Sequence, residues 1–504
     1  NYMKKFYFVI CLFFLSLRVF SQEFSKIVPV NPNVASLFKS TITPVNEYSG
    51  LANVSIPLYT VTEGAITVPL SLSYNNSGIQ VSEESGIVGL GWTLNTGGAI
   101  TRKVNGNDDF NTSAVGYLQH GKRYPDPYIF PEPDAYFDPN QYGLVNANSE
   151  CQFFVNGNLT HFDPTIFQYY QDYDFLPDVF YYSFNGYSGS FVLDSNAHVV
   201  LMKKEGLKIL VDRSGGSQSV KFIITTEDGK IYEFNKTEFT NFSGTGLGIP
   251  GYTSSWYLSK ITDISGNHID FVYENKENIV PLRSFTQNFE IDQCLSQDCM
   301  LAGASFKEYA GPYTAIEGIY LSEILFSTGK VKLNYSNYND RTDLKGYYLN
   351  SIEIKDISNN IVKRHDFNYS YFGNSSNGGS KGLAQGDYSQ SIYSLSTESH
   401  LNLRLRLDSM TEDSVKTHNF EYNSGYNNSV PNKTTLDQDY WGFYNGANNT
   451  RSFIPSVNPN ISGYQRSSFV AAKREPNDVH AKLFSLNKIT YPTKGSTVFD
   501  YETN

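Results

Sequence analysis

Apolar and polar residues alternate over short stretches early in the chain, and turn residues separate these stretches. Val54–Val61 and Ile66–Tyr74 both alternate in this way, with Glu63-Gly64 between them. A second turn, Asn75–Gly78, leads into the apolar stretch Ile79–Val81. Since a β-strand directs successive side chains to opposite faces, the pattern predicts a three-stranded meander.

Prolines limit how regular this β structure can be. Pro57 and Pro69 lie inside two of the predicted strands, and proline cannot donate to a strand ladder. We therefore expect them at edge positions or bulges. From about residue 107 to 171 the chain is rich in Pro, Asp, Tyr and Asn, with three Asp-Pro steps. This composition predicts a long irregular insertion.

Glycines cluster around the first tryptophan. Their density predicts tight backbone bends or close approach of two chain segments. The alternative is a glycine-rich phosphate cradle, which needs the amides of a helix N-terminus, and no helical pattern follows here. The residues that we assign to structural motifs are Gly89, Gly91, Gly97, Gly98, Trp92, Trp256 and Trp441.

Two further hairpins are predicted between these glycines and residue 240. Each has an apolar stretch on both sides of a glycine-containing turn. The first joins Pro177–Phe184 through Gly186–Gly189 to Phe191–Leu193, and the second joins Phe222–Thr226 through Asp228-Gly229 to Ile231–Phe234.

One two-part unit recurs from Trp256 onward. It opens with Leu-x-x-Ile (or Met), continues through turn residues, and closes with an apolar residue, one spacer and Tyr. The openings are Leu258/Ile261, Leu321/Ile324, Leu349/Ile352, Leu407/Met410 and Leu486/Ile489, and the closings are Phe271/Tyr273, Leu333/Tyr335, Phe367/Tyr369, Phe420/Tyr422 and Phe499/Tyr501. Each unit is predicted to be a β-hairpin. The opening pair is three residues apart, so it faces both sides of the strand unless a bulge intervenes.

Composition supports the same fold class. The chain has 504 residues, of which 38 are Tyr and 35 are Phe, and these aromatic side chains favour strands. We predict an all-β fold of successive antiparallel β-hairpins that form large twisted or shell-like sheets, with long irregular insertions. Hairpins that add side by side bury a continuous apolar face, as in repeat architectures. We divide the chain into a signal peptide (1–21), an N-terminal β-rich region (22–245) and a hairpin-repeat region (246–504).

The start of the chain has the order of features typical of a secretory signal. Lys4 and Lys5 follow Met3, which is the expected start, and the apolar stretch Phe6–Leu17 comes next. We expect cleavage after Ser21, and therefore a secreted or cell-surface protein. The alternative is a buried N-terminal helix or strand. No later apolar stretch is long enough for a transmembrane helix in the mature chain.

Charge argues against two classes of partner. The net charge is −11, and removal of Lys4, Lys5 and Arg18 with the signal brings it to about −14. Nucleic-acid binding needs a basic surface, so we expect no nucleic-acid partner. Electrostatic attachment to anionic lipid is disfavoured for the same reason.

The cysteines suggest one covalent link. Cys294 and Cys299 are candidates for a disulfide in an exported protein, and the alternative is two free or differently paired thiols. Cys151 is the third cysteine of the mature chain. No second cysteine pair or nearby histidine completes a zinc site.

The sequence contains no catalytic signature, so we expect no enzyme activity and no cofactor. The eight histidines form no His-Glu-x-x-His pattern, and there is no Gly-x-Ser-x-Gly elbow. Asp172/Asp174 and Asp437/Asp439 could bind calcium if they lie on strands, or could be ordinary solvated turns. The Tyr and Trp residues could form sugar-stacking platforms, although packing between strands is their more common use.

Several motifs together resemble the N-terminal region of the large Rhs/YD-repeat (RHS repeat-associated) secreted proteins of Bacteroidetes. The resemblance extends over nearly the whole mature chain. Its motifs are Ser49–Tyr59, Val88–Leu94, Gly97–Arg102, Pro177–Phe180, Gly186–Phe191, Ser255–Ile261, Gln438–Gly446 and Tyr491–Ser496. It implies a surface-exposed or secreted scaffold whose YD repeats form a hollow β shell around a variable C-terminal payload, as in polymorphic toxins. The Tyr-Asp array and the self-cleaving Asp core of such proteins do not occur in this sequence.

Three functions follow as hypotheses. The first is a non-catalytic N-terminal scaffold that helps to hold or present a toxin or effector, whose partner is a missing C-terminal part of the same polypeptide. The second is an adhesin-like module that binds cell-surface glycans or a neighbouring cell. The third is a hydrolase with a cleft that the sequence does not reveal.

Overall fold

Antiparallel pairing between successive strands dominates the chain, which confirms the predicted all-β fold class. The computed structural model describes residues 54–75, 77–106, 108–111, 117–120, 144–147, 150–155, 158–161, 176–215, 219–243, 251–279, 285–291, 304–310, 313–344, 346–373, 399–423, 430–449, 453–455 and 471–502. Ser55–Asn504 form one compact unit. The predicted signal peptide, Cys294 and Cys299, and the pair Asp172/Asp174 lie outside the described residues.

The strands of the first half are numbered as follows. They are β1 (Val54–Glu63), β2 (Ile66–Tyr74), β3 (Trp92–Asn95), β4 (Gly98–Lys103), β5 (Leu144–Ala147), β6 (Glu150–Val155), β7 (Asn158–His161), β8 (Val179–Phe184), β9 (Tyr187–Leu193), β10 (Val199–Leu201), β11 (Lys208–Asp212), β12 (Lys221–Thr225) and β13 (Ile231–Ser243).

The second half continues with longer hairpins. Its strands are β14 (Tyr252–Thr262), β15 (His268–Ile279), β16 (Phe285–Ile291), β17 (Ala304–Ala310), β18 (Tyr313–Phe326), β19 (Gly329–Tyr335), β20 (Leu349–Asp356), β21 (Ile361–Phe372), β22 (Arg404–Glu412), β23 (Lys416–Tyr422), β24 (Leu486–Thr490) and β25 (Ser496–Val498). The helices described are single turns: α1 (Tyr117–His120), α2 (Asp478–Ala481) and a 3₁₀ turn (Ser399–Asn402). None of them is long and apolar enough to cross a membrane.

The first sheet has the order β1-β2-β3. The alternation in its sequence separates a buried face from an exposed one, and Pro57 and Pro69 both lie on the exposed face. Pro57 belongs to the edge strand β1. Pro69 belongs to the central strand but precedes Ser71–Tyr74, the part of β2 that pairs with β3. Pro57 thus has the expected edge position, whereas Pro69 lies in the central strand, outside the part of it that pairs with β3.

The predicted third strand of this meander is wrong. Trp92–Asn95 occupies that place, whereas Ile79–Val81 leaves the sheet. The Val81 amide donates to the carbonyl of Gly442 at 2.9 Å. Ile79 and Val81 are still buried. Ile79 packs with Leu90, Phe372, Leu483 and Phe484, which come from distant parts of the chain, so alternation along the chain does not reveal its environment.

The main sheet grows mostly by the addition of successive hairpins. One run of neighbours is β10-β9-β8-β4-β14, and another is β18-β19-β20-β21-β22-β23-β24-β25. The runs meet where β13, β14, β15 and β18 pair in a ring. There β13 pairs along one edge with β14, and its other edge is divided between β12 and β18. The ring is a local branch point and not a closed barrel.

Two insertions carry strands of their own. β5, β6 and β7 form a small antiparallel sheet inside 107–171, so the prediction of a wholly irregular segment there is wrong. The apolar and aromatic residues of Cys151–Val155 favour a strand. The prediction of an irregular insertion rested instead on the Pro, Asp and Asn content of residues 107–171 as a whole. The hairpin β16–β17 is inserted between β15 and β18.

The turn between β8 and β9 is shorter than predicted. Asn185 and Gly186 alone form it, with φ of 41° and 88°, and Tyr187 already pairs with Phe184. Positive φ at both central residues suits the twist of a two-residue hairpin. Ser188 and Gly189 are therefore part of β9, which corrects their prediction as turn residues. The Asp228-Gly229 hairpin is present as predicted between β12 and β13.

Candidate functional site

Every opening Leu-x-x-Ile (or Met) contains a β-bulge. Tyr273 pairs with Leu321 while Val272 pairs with Glu323, so Ser322 is an extra residue on β18. The other units show the same shift of register. The extra residues are Ser259, Ser322, Asn350, Asp408 and Asn487, each directly after the opening Leu. Leu and Ile three residues apart can face the same side of a strand only if a bulge lies between them. Each opening contains that bulge, and both apolar residues therefore lie on the buried face.

Burial of the opening pairs follows from this bulge. All ten side chains are at most 8% exposed, and those of Leu258, Ile261, Leu349 and Leu407 are completely buried. The bulged residue is short and polar in each unit. Ser259 donates to the carbonyl of Glu233 at 2.8 Å, and Ser322 donates to the carbonyl of Val272 at 3.1 Å. A short hydroxyl at the bulge can therefore bond to the neighbouring strand.

The closing tyrosine bonds to the carbonyl of the opening leucine in every unit. Such a carbonyl lies beside the bulge, where the regular ladder is interrupted, so a side-chain donor satisfies it. The hydrogen bonds are Tyr273 to Leu258 (2.8 Å), Tyr335 to Leu321 (2.8 Å), Tyr369 to Leu349 (2.8 Å), Tyr422 to Leu407 (2.7 Å) and Tyr501 to Leu486 (2.7 Å). We call this arrangement the bulge–tyrosine unit.

Burial makes these hydroxyls harder to ionise than an exposed tyrosine, which is itself protonated at neutral pH. Loss of solvation raises the pKa of all five closing tyrosines above the ordinary value, and the pKa of Tyr369 well above it. The hydroxyl remains protonated throughout the physiological pH range. Each unit therefore keeps its internal hydrogen bond independently of pH in that range.

One register rule joins each unit to the next. The closing apolar residue pairs with the Ile or Met of the following unit, and the closing Tyr pairs with the following Leu. The pairs are Phe271–Ile324 and Tyr273–Leu321, Leu333–Ile352 and Tyr335–Leu349, Phe367–Met410 and Tyr369–Leu407, and Phe420–Ile489 and Tyr422–Leu486. A closing tyrosine thus connects three strands: its own, the opening strand of its unit and the opening strand of the next.

Trp92 adds a further bond to one of these units. Its indole N–H donates to the hydroxyl of Tyr422 at 2.7 Å, and that hydroxyl donates in turn to Leu407. The Trp92 ring lies 4.6 Å from that of Phe420 and 5.1 Å from that of Tyr74. The part of the main sheet that the five units form is called the repeat sheet. The first sheet is therefore connected to the repeat sheet through aromatic contacts and two successive hydrogen bonds.

Trp256, Gly89 and Gly91 lie at closely packed positions of the fold. Trp256 is 1% exposed and donates to the carbonyl of Val220 at 2.8 Å. A side chain at Gly89, which has φ of +98°, would lie 3.0 Å from the amide nitrogen of Leu407. At Gly91, with φ of +74°, it would lie 2.7 Å from the Tyr74 ring. These two glycines allow the backbone to approach the sheet closely.

Gly97 and Gly98 lie where the chain enters β4. A side chain at Gly97 would be 3.0 Å from the ring of Phe271, and one at Gly98 would overlap the side chain of Phe184. Gly98 pairs with Phe184 in the register of β4 and β8. Both glycines therefore serve close packing.

A buried charged cluster fastens residues 80–90 to the repeat sheet. Arg341 binds both oxygens of Asp343, at 2.9 and 3.2 Å, and donates to the carbonyl of Ser85. Burial acts to raise the pKa of Asp343, but the charge and hydrogen bonds of Arg341 outweigh it and lower the pKa. Arg404 donates to the carbonyls of Val81 and Pro431, and Lys433 pairs with Glu84. These cations are largely occupied by backbone carbonyls and carboxylates.

A second buried cluster surrounds Arg102. Its guanidinium lies 2.6 Å from the carboxylate of Asp108 and 3.3 Å from that of Asp178, and it stacks within 5.4 Å of the Trp256 ring. Burial raises the pKa of Asp178 to about 6, although Arg102 opposes this shift. The Asp178 carboxylate also accepts from the backbone amide of Asn105 at 2.9 Å. This cluster anchors the segment between β4 and α1.

Asp437 and Asp439 bind their own turn. Asp439 accepts from the amides of Trp441 (2.8 Å) and Phe443 (3.0 Å), and Asp437 accepts from the amide of Asn449. In the described ranges there is no group of three or more His, Cys, Asp and Glu side chains that could hold a metal ion. The carboxylates accept from backbone amides of their own turn, but both residues are buried, at 5% and 2% exposure, and not solvated as the turn alternative expected.

Trp441 differs from the other two tryptophans. It is 62% exposed and its neighbour Tyr440 is 55% exposed, with the two ring centroids 6.4 Å apart. Gln80 donates to the Trp441 carbonyl at 2.8 Å, and Arg474 donates to the Asp439 carbonyl. The backbone that carries the exposed pair is thus held on both sides.

One open cavity of about 330 Å³ lies beside the β8–β9 turn. It is lined by Tyr187, Lys203, Glu205 and Glu227, among others. Hydrogen bonds from Lys203 and Tyr182 lower the pKa of Glu205, so this carboxylate is ionised at neutral pH. An ionised, solvated carboxylate is suited to binding a cation and not to donating a proton.

Sequence reasoning identified the opening and closing residues of the five units but did not assign the bulged residues or the buried charges. The signal for the bulge was present, because Ser, Asn or Asp follows the opening Leu in all five units. Arg341, Asp343 and Arg404 left no such signal, since charged residues on loops and strand ends are usually solvated. Their partners come from distant segments that only the fold brings together.

The chain matches no family model, and no curated protein matches it. The N-terminal domain of effector protein SpvB from Salmonella typhimurium strain LT2 aligns with 13% identity over 64% of this chain and 95% of that chain, with a TM-score of 0.27. The TcdB2-TccC3-Cdc42 structure aligns with 12% identity over 75% of this chain, and TcdB2-TccC3 without its hypervariable C-terminal region with 12% over 74%, each with a TM-score of 0.30. This chain spans 16% of the length of each of these two. At such TM-scores the fold rests on the strand pairings alone.

The bulge–tyrosine bond predicts a specific loss of stability. Replacement Tyr369→Phe keeps the ring but leaves the buried Leu349 carbonyl without its donor, which should cost about 1–3 kcal/mol in the free energy of unfolding. Urea denaturation measures it. The control Tyr181→Phe removes a hydroxyl from a ring that is 47% exposed and should change stability by less than about 0.5 kcal/mol. Equal effects of the two variants would refute the role of the bond.

A buried histidine predicts a pH dependence. His365 is 0% exposed, its Nε2 lies 3.1 Å from the Leu58 carbonyl oxygen of β1, and burial together with Lys363 lowers its pKa. The folded protein therefore binds fewer protons than the unfolded chain at mildly acidic pH. The stability that neutral His365 contributes is complete above the unfolded pKa of about 6.5 and is lost as pH falls below it.

Urea unfolding between pH 7.5 and 5 tests this dependence. His365→Gln keeps a donor towards Leu58 but does not titrate, so its stability should fall less on acidification than that of the wild type. His198→Gln, at a side chain that is 76% exposed, should follow the wild type. A wild-type slope in His365→Gln would contradict the assignment.

Proposed function

We propose that this chain is a non-catalytic β scaffold of an exported Rhs/YD-repeat-like protein. It contributes to a β shell that holds or presents a C-terminal payload, such as a toxin or effector. The observation that carries the proposal is the bulge–tyrosine unit, which occurs five times with one internal hydrogen bond and one rule of succession. A repeated unit with a fixed succession suits a sheet that is built by adding copies.

The use of the buried charges supports a structural role. Arg341, Arg404 and Arg102 bind backbone carbonyls and neighbouring carboxylates inside the protein. Such bonds fasten loops to the sheet. A hydrolase would instead require titratable groups converging on a deep pocket, and the cavity beside the β8–β9 turn is open.

Sequencing the gene past the codon of Asn504 tests the scaffold proposal. We expect the reading frame to continue into further Leu-x-x-Ile and Phe-x-Tyr units, then a YD array and a variable terminal segment. Sequencing the locus, followed by mass spectrometry of the protein in the culture medium and on cells, would check both the architecture and the proposed export. An immediate stop codon would overturn the scaffold proposal, and retention of the uncleaved chain in the cytoplasm would overturn export.

A second candidate function is glycan binding at the Tyr440–Trp441 pair. Two exposed rings on a firmly held turn present apolar faces at little conformational cost, and the apolar faces of sugar rings pack against such rings. Gln80, which bonds to the Trp441 carbonyl, is polar and exposed, and the Arg474 guanidinium lies 5.5 Å from the centroid of the Tyr440 ring. This setting suits a small polar ligand better than a large protein interface.

A glycan array tests the second candidate. The wild-type protein should bind at least one glycan, and Trp441→Ala should weaken that binding about tenfold, equivalent to about 1.4 kcal/mol. Tyr181→Ala removes an exposed aromatic side chain elsewhere and should leave binding unchanged. No bound glycan, or equal loss in the two variants, would rule out this site.

A further inference from the structure

We propose that the open cavity beside the β8–β9 turn binds the guanidinium group of an arginine side chain on a partner polypeptide. In this site the Tyr187 ring packs against the plane of the guanidinium, and the Glu227 carboxylate accepts its hydrogen bonds. The scaffold function makes no use of this cavity, so the site stands or fails independently of that function.

Three connections of the main sheet meet at this cavity. They are the β8–β9 turn with the start of β9, the loop between β10 and β11, and the β12–β13 turn. The cavity volume of about 330 Å³ is at the small end of the range for ligand sites. It can hold one long side chain, but it is too small for a strand or a helix of the partner.

The charges of Lys203 and Glu205 balance each other at the wall of the cavity. The Lys203 ammonium lies 2.8 Å from one carboxylate oxygen of Glu205. The hydroxyl of Tyr182, a residue that is 2% exposed, donates to the other oxygen at 2.7 Å. Both oxygens of Glu205 thus have a partner inside the protein, and Lys203 does not repel a cationic ligand as an unpaired ammonium would.

The Glu227 carboxylate is open to a ligand. Among the described residues it accepts no hydrogen bond and pairs with no cation. Lys230 of the same turn pairs instead with Asp228. The Glu227 carboxylate lies directly against Gly206, where an added Cβ would overlap it, and Gly206 does not have a positive φ. Space for the carboxylate, and not backbone conformation, is therefore what favours glycine at this position.

The Tyr187 ring supplies a flat wall. It stacks on the ring of the buried Phe184, with centroids 5.3 Å apart and planes at 27°. One face of the Tyr187 ring is therefore covered, and the other can meet a ligand. A guanidinium group is planar and always charged, stacks on aromatic rings and binds a carboxylate through two parallel N–H groups. One ring and one open carboxylate in a small cavity suit this group.

Other cations fit the cavity less well. A metal ion would need several ligands, and the described residues bring no three acidic, histidine or cysteine side chains together for one. A lysine ammonium is a point charge that does not match a flat ring as a guanidinium does. The net charge of −11 attracts basic polypeptides, which gives the partner its sign.

A ligand-observed NMR titration of the full chain tests the site, with acetyl-arginine-amide as the probe. We expect saturable binding at millimolar concentrations, and no measurable binding of acetyl-citrulline-amide, which has a similar shape without the charge. Glu227→Gln should weaken binding at least about tenfold, because it removes the charged acceptor. Glu421→Gln removes a carboxylate from an exposed side chain of β23 and should leave binding unchanged.

Gly206→Ala separates the position of the carboxylate from its charge. The added methyl group displaces the Glu227 carboxylate and changes no charge, so binding should weaken by a similar factor. Gly495→Ala is the matched control, because the nearest atom to its added Cβ would be 3.8 Å away. Tyr187→Ala should also weaken binding, whereas Tyr187→Phe keeps the ring and should bind as the wild type does.

Each contrary outcome decides against one part of the proposal. Absence of saturable binding, wild-type affinity in Glu227→Gln, or equal binding of the citrulline probe would overturn the site. Equal affinity for acetyl-lysine-amide would show selection for charge alone and would overturn the choice of arginine. Tighter binding of free arginine than of acetyl-arginine-amide would overturn the assignment to a partner polypeptide.

Discussion

The hydrogen bond from a closing tyrosine to the carbonyl of its opening leucine is the interaction on which the repeat sheet depends. A bulge is needed to place Leu and Ile on one face, but a bulge also interrupts the ladder and leaves a backbone carbonyl without its regular partner. The tyrosine compensates for this interruption, because its hydroxyl donates to the carbonyl of the opening leucine. Burial raises the pKa of Tyr369 well above the ordinary value, although the residue as a whole is only half-buried.

The same tyrosine sets the succession of units. It pairs with the leucine of the following strand while its hydroxyl reaches back to the leucine of its own unit. Three strands thus share one side chain, and a shift of register by one residue would break two kinds of contact together. The coupling is kept across the insertion β16–β17: the pairing of β15 with β18 shifts after Asn275, next to the insertion, but Phe271 and Tyr273 keep the register of the other units.

The remaining polar interactions attach other segments to this sheet. Arg341 and Arg404 bind carbonyls of residues 81–85, and Trp92 donates to the tyrosine of the fourth unit. Each of these groups would be costly to bury alone, so the attached segments and the sheet depend on one another. The exposed pair Tyr440 and Trp441 lies on a turn that is itself bound to residues 80 and 81. The segment of residues 80–85 therefore contacts both the turn of the candidate glycan site and the repeat sheet.

The sequence by itself determined the all-β class and the five hairpins with their turns. These features depend on local alternation and turn chemistry, which are written in consecutive residues. It left open how Leu-x-x-Ile could face one side, and it wrongly assigned Ile79–Val81 to the first sheet. Tertiary structure decided both, because a bulge is recognised only against its partner strand, and the partner of Val81 is Gly442, far along the chain. The tertiary structure also determines the partners of the buried charges, since residues such as Arg341 and Ser85 are far apart in the sequence and come together only in the fold.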